Sequence, residues 1–190
     1  MSPTSILAWP LERLSAAEAQ PASCEMEVVE LFDELRDRLM RYLLAMGLPA
    51  HDGEEIVQES FLLLFLHLRK GKPRNNLRGW IFRVAHNLGL KRRTANQIML
   101  HRVVEFDDTL PEQSARANPN PEEEFGNRQR QERLLAVVWA MPERDLSCFL
   151  LRAEGLRYRE IASVLGISIG SVAASVARAL QRLERADRSL

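Results

Sequence analysis

The sequence predicts an all-α protein built from two helical domains joined by a flexible acidic linker. Apolar residues recur at helical spacing through most of the chain. Glycine and proline fall at helix-length intervals, where they stop one helix and release the next. Alternating, strand-like runs are nearly absent. With 190 residues, 46% hydrophobic and 27% charged, the chain is long enough for two small cores of ordinary globular composition.

Residues 1–24 carry Pro3, Pro10 and Pro21 among many small side chains and are expected to form a flexible or loosely helical arm. The first domain is expected over 25–100. "VVELFDELRDRLMRYLLAMG" places Val28, Leu31, Leu35, Leu39, Tyr42 and Leu43 on one helix face and stops at Gly47, with Pro49 beyond. "DGEEIVQESFLLLFLHLRKG" reads as a second helix with Asp52 as its cap, and Glu54 and Glu55 suit the positive helix start. Ile56, Phe61, Leu64 and Leu68 form much of its inner face. "NLRGWIFRVAHNLGLKRRTANQIMLHR" follows as a basic helix with Trp80, Ile81, Val84 and Leu88. Residues 101–126, containing "SARANPNPEEE", have no apolar period and read as a linker. Residues 127–190 resume helical spacing in four segments: "RQERLLAVVWAM", "ERDLSCFLLRAEG" after Pro142, and a final pair within "YREIASVLGISIGSVAASVARALQRL".

Charge is sorted along the chain although the formal net charge is zero. Arg69 to Arg102 holds ten Lys or Arg and no acid, whereas Glu27 to Glu59 holds nine acids against three arginines. Glu105 to Glu124 holds seven acids and one arginine. Segregation this sharp implies different partners for different surfaces.

The final pair has the pattern of a helix-turn-helix. Ile161, Ala162 and Leu165 give an apolar face, Gly166 permits the turn, Ile167 plugs the core and Ser168 is an N-cap. Val172, Val176, Ala179, Leu180 and Leu183 form the packing stripe of the second helix; Ser171, Ala174, Ser175, Arg178, Arg182 and Arg185 form the opposite one. That second helix has no lysine or arginine in its first two turns. In the basic helix and the loop before it, Arg74, Asn75, Asn76, Arg78, Trp80, Arg83, Asn87, Lys91, Arg92 and Arg93 interleave cations, amides and an aromatic ring. Such a mixture suits phosphates and an unstacked base. Phe82 reads as a core anchor.

Other classes are disfavoured. Cys24 and Cys148 are distant and form no CxxC or Cys/His cluster, so neither a disulfide scaffold nor a zinc site is expected. His51, His67, His86 and His101 are scattered and read as surface or helix-end residues; no catalytic site, metal or cofactor is expected. No apolar run is long enough for a membrane span, no insertion is expected, and the expected location is cytoplasmic.

These motifs, in this order, resemble bacterial RNA polymerase sigma factors of the extracytoplasmic-function (ECF) group, over about 27–97 and 128–187. "AHDGEEIVQESFLLLF" is similar to the family's polymerase-binding helix, "NLRGWIFRVAHNLGLKRR" to its promoter-melting helix, and the stretch from "MPERDLSC" to "ALQRL" to its C-terminal domain. The resemblance implies that Asp52, Glu54, Glu55, Val57, Gln58 and Glu59 dock on the clamp helices of core RNA polymerase. It implies that the segment from Arg74 to Arg93 holds the −10 element open, with a flipped base near Asn75 and Asn76. The acidic linker would run through the polymerase cleft and exit channel, and the C-terminal domain would engage the flap. The −35 element would meet Arg157, Tyr158, Ser168, Ser171, Ser175, Arg178 and Arg182. An anti-sigma factor is a further implied partner. Family recognition helices usually read Val-Lys-Ser-Arg here; Ala173 stands at the Lys position and Ser175 at the Arg position. In the melting helix, Lys91 stands where Asp is more usual and His86 where Arg is. Two alternatives stay open: an autonomous helix-turn-helix regulator, and a degenerate sigma-like protein that binds polymerase without opening promoters.

Overall fold

The computed structural model describes residues 12–104 and 134–188, with side chains over 24–98 and 134–188. Among the described residues there are seven helices and no strand: α1 (Glu12–Ala45), α2 (Ala50–Arg69), α3 (Leu77–Val104), α4 (134–139), α5 (Glu143–Ala153), α6 (Tyr158–Leu165) and α7 (Ile169–Arg188). The segment read as a linker lies outside them from residue 105 onward. α1 begins at Glu12 and so takes in half of the stretch read as an arm.

α1, α2 and α3 pack as a bundle because each buries one apolar stripe. Leu35, Leu39 and Leu43 of α1, Ile56 and Leu64 of α2, and Ile81 and Phe82 of α3 meet there, all at most 2% exposed. Tyr42 joins them edge-on to Phe82, with ring centroids 5.9 Å apart. The turn after α1 uses Gly47 at φ 87°, a conformation glycine adopts without steric cost.

The start of α2 departs from the sequence reading. Pro49, not Asp52, is the residue before the helix, and it makes no side-chain capping bond. Asp52 sits inside the first turn and is buried, because Arg92 and Asn96 of α3 reach across to its carboxylate. α3 starts after Asn76, whose Oδ1 accepts the Gly79 N–H at 3.1 Å, an N-cap bond. A Cβ on Gly79 would lie 2.3 Å from the Asn76 amide nitrogen, so the cap and the glycine require each other.

The C-terminal helices close around Leu151, Leu156, Ile161, Val172 and Val176. Met141, Leu146 and Ala179 form a smaller cluster under Val137, Val138, Phe149 and Leu183. Leu180 is exposed rather than part of the packing stripe, since Ala179 and Leu183 take the inward positions. α6 ends on Gly166 in the left-handed conformation, φ 67°. Ser168 Oγ then accepts the Ser171 N–H at 3.1 Å to start α7. α6 and α7 are bent by 104° at this turn, within the helix-turn-helix range of about 90–120°. The two sets of helices share one contiguous core, with α6 packed on α3 and α5 against α1. No single described helix is long and apolar enough to cross a membrane.

Candidate functional site

The acidic helix α2 divides its predicted residues between surface and core. Glu54, Glu55, Gln58 and Glu59 are exposed. Asp52 and Val57 are buried, and this corrects their reading as docking residues: Val57 packs in the bundle core and Asp52 is enclosed by α3. Asn96 and Arg92 hold the Asp52 carboxyl below the usual carboxylate range, the Asn96 hydrogen bond being the largest influence, against the opposing effect of burial. Continuing the exposed face of Glu55 and Glu59 along the helix are Leu62, 58% exposed, with Leu63 and Leu66. Sequence reasoning missed these three leucines. Their signal was the run "FLLLFLHL", which carries more apolar residues than one helix face can bury.

The basic residues are brought onto α3 and the loop before it, but most are engaged. Arg74 donates to Glu27 Oε2 at 2.6 Å and to Cys24 Sγ at 3.4 Å. Asn75 is exposed, and Asn76 is occupied by its cap. Trp80 is half-buried beside His67, ring centroids 4.7 Å apart. Arg78 donates to the Glu154 carbonyl at 3.0 Å, and Arg83 to Ser163 O at 2.9 Å and Ser163 Oγ at 2.6 Å. Arg92 bridges Asp52 and Glu55, and Arg93 meets Glu143 at 2.6 Å. Asn87 and Lys91 face outward. Phe82 is fully buried.

His86 corrects the surface reading of the histidines. It is 7% exposed, and its Nδ1 lies 2.7 Å from the Tyr42 hydroxyl inside the bundle. Burial pushes its pKa down, so the ring is held neutral.

On the helix-turn-helix, Arg157 is exposed, and its N–H is bound by Glu160 Oε2 at 2.7 Å. Tyr158 is half-buried under the Arg152 guanidinium. Ser168 and Ser171 share a bond of 2.9 Å at the helix start. Ser175 is fully buried, correcting its place on the outward stripe; its hydroxyl faces α5 and accepts from Arg178 at 3.0 Å. Arg178 also pairs with buried Asp145. The outward face of α7 is therefore Ala174, Ala177, Gln181, Arg182 and the exposed part of Arg178. Among the described residues no group of His, Cys, Asp or Glu is arranged to hold a metal ion.

An acid-and-leucine face, a basic helix and a helix-turn-helix thus stand in one chain. The sigma-70 region 2 model matches residues 31–97 and the sigma-70 region 4 model residues 131–183. The ECF RNA polymerase sigma factor SigE of Mycolicibacterium smegmatis is 30% identical over 156 residues, 81% of this chain. The chain belongs to the ECF sigma factors. It spans 59% of the length of SigE. Solved sigma factor structures share this fold. CnrH of Cupriavidus metallidurans, in complex with the cytosolic domain of CnrY, superposes with a TM-score of 0.60 at 18% identity, covering 90% of this chain and 96% of that one. RpoE of Bartonella quintana, in complex with the anti-sigma factor NepR, gives 0.59 at 16% identity, covering 86% and 96%. Region 2 of this sigma factor thus comprises the end of α1, all of α2 and most of α3, and region 4 holds α4 to α6 with most of α7.

Proposed function

We propose that this protein binds core RNA polymerase, directs it to a set of promoters and helps open the −10 element, acting as a non-enzymatic initiation factor in the cytoplasm. The observation that carries the reading is the outer face of α2, where Glu55 and Glu59 continue into exposed Leu62, Leu63 and Leu66. A monomeric DNA-binding regulator acting alone would leave that apolar stripe uncovered. An apolar stripe rimmed by acids fits a basic, partly apolar protein surface such as the polymerase clamp helices. Region 4 would engage the flap.

The −10 element falls to Asn75, Trp80, Asn87 and Lys91, with Arg74, Arg78, Arg83, Arg92 and Arg93 supplying positive charge. Their cations suit phosphates, while the Trp80 ring and the asparagines suit a base drawn out of its stack. The −35 element falls to Arg157, Tyr158, Ser168, Ser171, Arg178 and Arg182. With Ser175 buried and Arg178 paired, α7 is left with few groups for base readout. Each good bidentate base contact is worth about 1–3 kcal/mol of discrimination. A tethered region 4 can do without most of it, because binding follows at an effective concentration of order mM once region 2 and polymerase hold the promoter. α7 then positions the domain on phosphates rather than reading base by base. The fold shared with RpoE, solved with an anti-sigma factor, supports an anti-sigma partner for this chain too.

Run-off transcription with purified core RNA polymerase, this protein and a genomic DNA library tests the reading. Transcripts that depend on the protein are expected, and their aligned start sites should show a stronger −10 than −35 consensus. Polymerase binding without transcripts would favour the degenerate sigma-like protein, a reading that the sparse α7 face supports. DNA binding without polymerase binding would leave the autonomous regulator.

A further inference from the structure

His67, in the last turn of α2, ties together the loop before α3 and the Trp80 ring. Its backbone carbonyl accepts the Lys72 N–H at 3.3 Å, while Gly71, at φ 63°, donates to the Leu68 carbonyl at 2.9 Å. These two bonds close α2 as a Schellman turn. The side chain reaches one residue further, where Nε2 donates to the Pro73 carbonyl at 3.0 Å. A carbonyl can only accept, so Nε2 carries the proton. The same imidazole lies 4.7 Å from the Trp80 ring, centroid to centroid, at a tilt of 41°.

The loop between α2 and α3 is thereby fixed at nearly every residue. Pro73 locks its own φ and favours an extended Lys72 before it. Arg74 is tied to Glu27 and Cys24 of α1, and Asn76 caps α3 from a positive φ of 56°. Asn75 stays exposed between those two fixed residues. It stands just before the cap, and Trp80 stands four residues after the cap. These are the two positions that face each other across a helix start. An exposed amide and a half-buried indole therefore share one corner, and His67 supports both sides of it. Capture of an unstacked base is weakened by every residue that must become ordered on binding, and a corner already in place avoids that loss.

We propose that His67 is a positioning residue for promoter opening: through the Pro73 carbonyl and the Trp80 ring it sets Asn75 and Trp80 in place for a base of the opened strand. The proposal rests on the reading of Asn75 and Trp80 as −10 contacts. His67 acts through these two residues and needs no contact with DNA of its own. Its effect therefore falls on opening, and the outer face of α2 keeps its hold on polymerase.

The test uses holoenzyme assembled from core RNA polymerase and the full chain, on a promoter recovered by the run-off experiment. His67→Ala removes both contacts, and His67→Gln keeps an N–H for the Pro73 carbonyl but loses the ring. Thermal melting followed by circular dichroism confirms that each variant folds, and fluorescence titration reads its affinity for core polymerase. A 2-aminopurine base placed in the −10 element brightens on unstacking and reads the rate of opening at saturating holoenzyme. His67→Ala should slow opening roughly 10-fold with polymerase affinity unchanged, and His67→Gln should recover part of that loss. With Trp80→Ala already in place, His67→Gln should slow opening no further, because the ring that His67 supports is gone. Parent-like opening by His67→Ala would overturn the proposal, as would additive losses for His67→Gln and Trp80→Ala or an equal fall in polymerase affinity. If the parent opens promoters in those cases, only the role of His67 has failed; if the parent opens none, the sigma reading has failed and this inference with it.

Discussion

Asp145 and Arg178 form a two-point ion pair across the C-terminal domain: Arg178 Nε donates to Asp145 Oδ2 at 3.0 Å and Nη2 to Oδ1 at 2.6 Å. The acid on α5 is buried, its side chain 4% exposed, while the arginine on α7 is half open to solvent. The pair thus joins the supporting helix to the outer helix of the helix-turn-helix.

That difference in burial predicts unequal costs. Arg178→Ala strands a buried carboxylate and should be the more destabilising of the two changes. Asp145→Asn leaves an arginine that water can reach and should cost about 1–2 kcal/mol. Arg182→Ala, at an exposed position, should change stability by less than about 0.5 kcal/mol yet weaken duplex binding. Urea unfolding with duplex titrations separates the two effects. Equal costs for Arg178→Ala and Asp145→Asn would contradict the burial argument.

The same pair sets a pH window. Hydrogen bonding from Arg178 holds the Asp145 carboxyl below its usual range, against the opposing effect of burial. A depressed carboxylate stabilises the fold above its unfolded value of about 3.9 and loses that contribution as pH falls through the folded value. Asp145→Asn should flatten the loss of stability below about pH 4. Melting curves from pH 6 to pH 3 for both proteins measure it.

His86 acts at higher pH. Burial lowers its pKa, with Glu143 opposing and Arg93 assisting, and Tyr42 is its hydrogen-bond partner. The neutral ring is favoured in the fold, so its contribution is complete above the unfolded value of about 6.5 and declines as pH falls through the folded value. The melting temperature should drop as pH falls below about 6.5, and less so in His86→Asn. Tyr42→Phe, which leaves Nδ1 without its partner, should cost about 1–3 kcal/mol at pH 7.5.

Two acids on α2 should behave oppositely. Asp52→Asn should cost about 1.5–3 kcal/mol of stability, because Arg92 and Asn96 lose a buried charged acceptor, while folded protein keeps its polymerase affinity. Glu59→Lys should leave stability within about 0.5 kcal/mol and lower polymerase affinity. Leu62→Glu should do the same, by placing a charge in the apolar stripe. Affinity for core polymerase, read by fluorescence titration, decides whether this face docks.

The helices were legible because periodicity and punctuation are local. Leu35, Leu39 and Leu43 share a face by spacing alone, and Gly47 and Gly166 mark stops that need a positive φ. The helix-turn-helix and the segregation of charge were equally visible, and with them the family. What spacing could not assign was the partner of each polar group. Asp52 looked like a helix cap and Ser175 like a surface residue, since each sits where the sequence pattern permits that role.

Sequence by itself thus determined the helices, their order and the faces they would bury, all set by contacts a few residues apart. Tertiary structure decided which charges remain available. Arg92 lies 40 residues from Asp52, Arg178 lies 33 from Asp145 and Arg83 lies 80 from Ser163, and each pairing exists only because distant helices pack side by side. A guanidinium reaches whichever acceptor the fold brings near it, and no local pattern encodes that meeting.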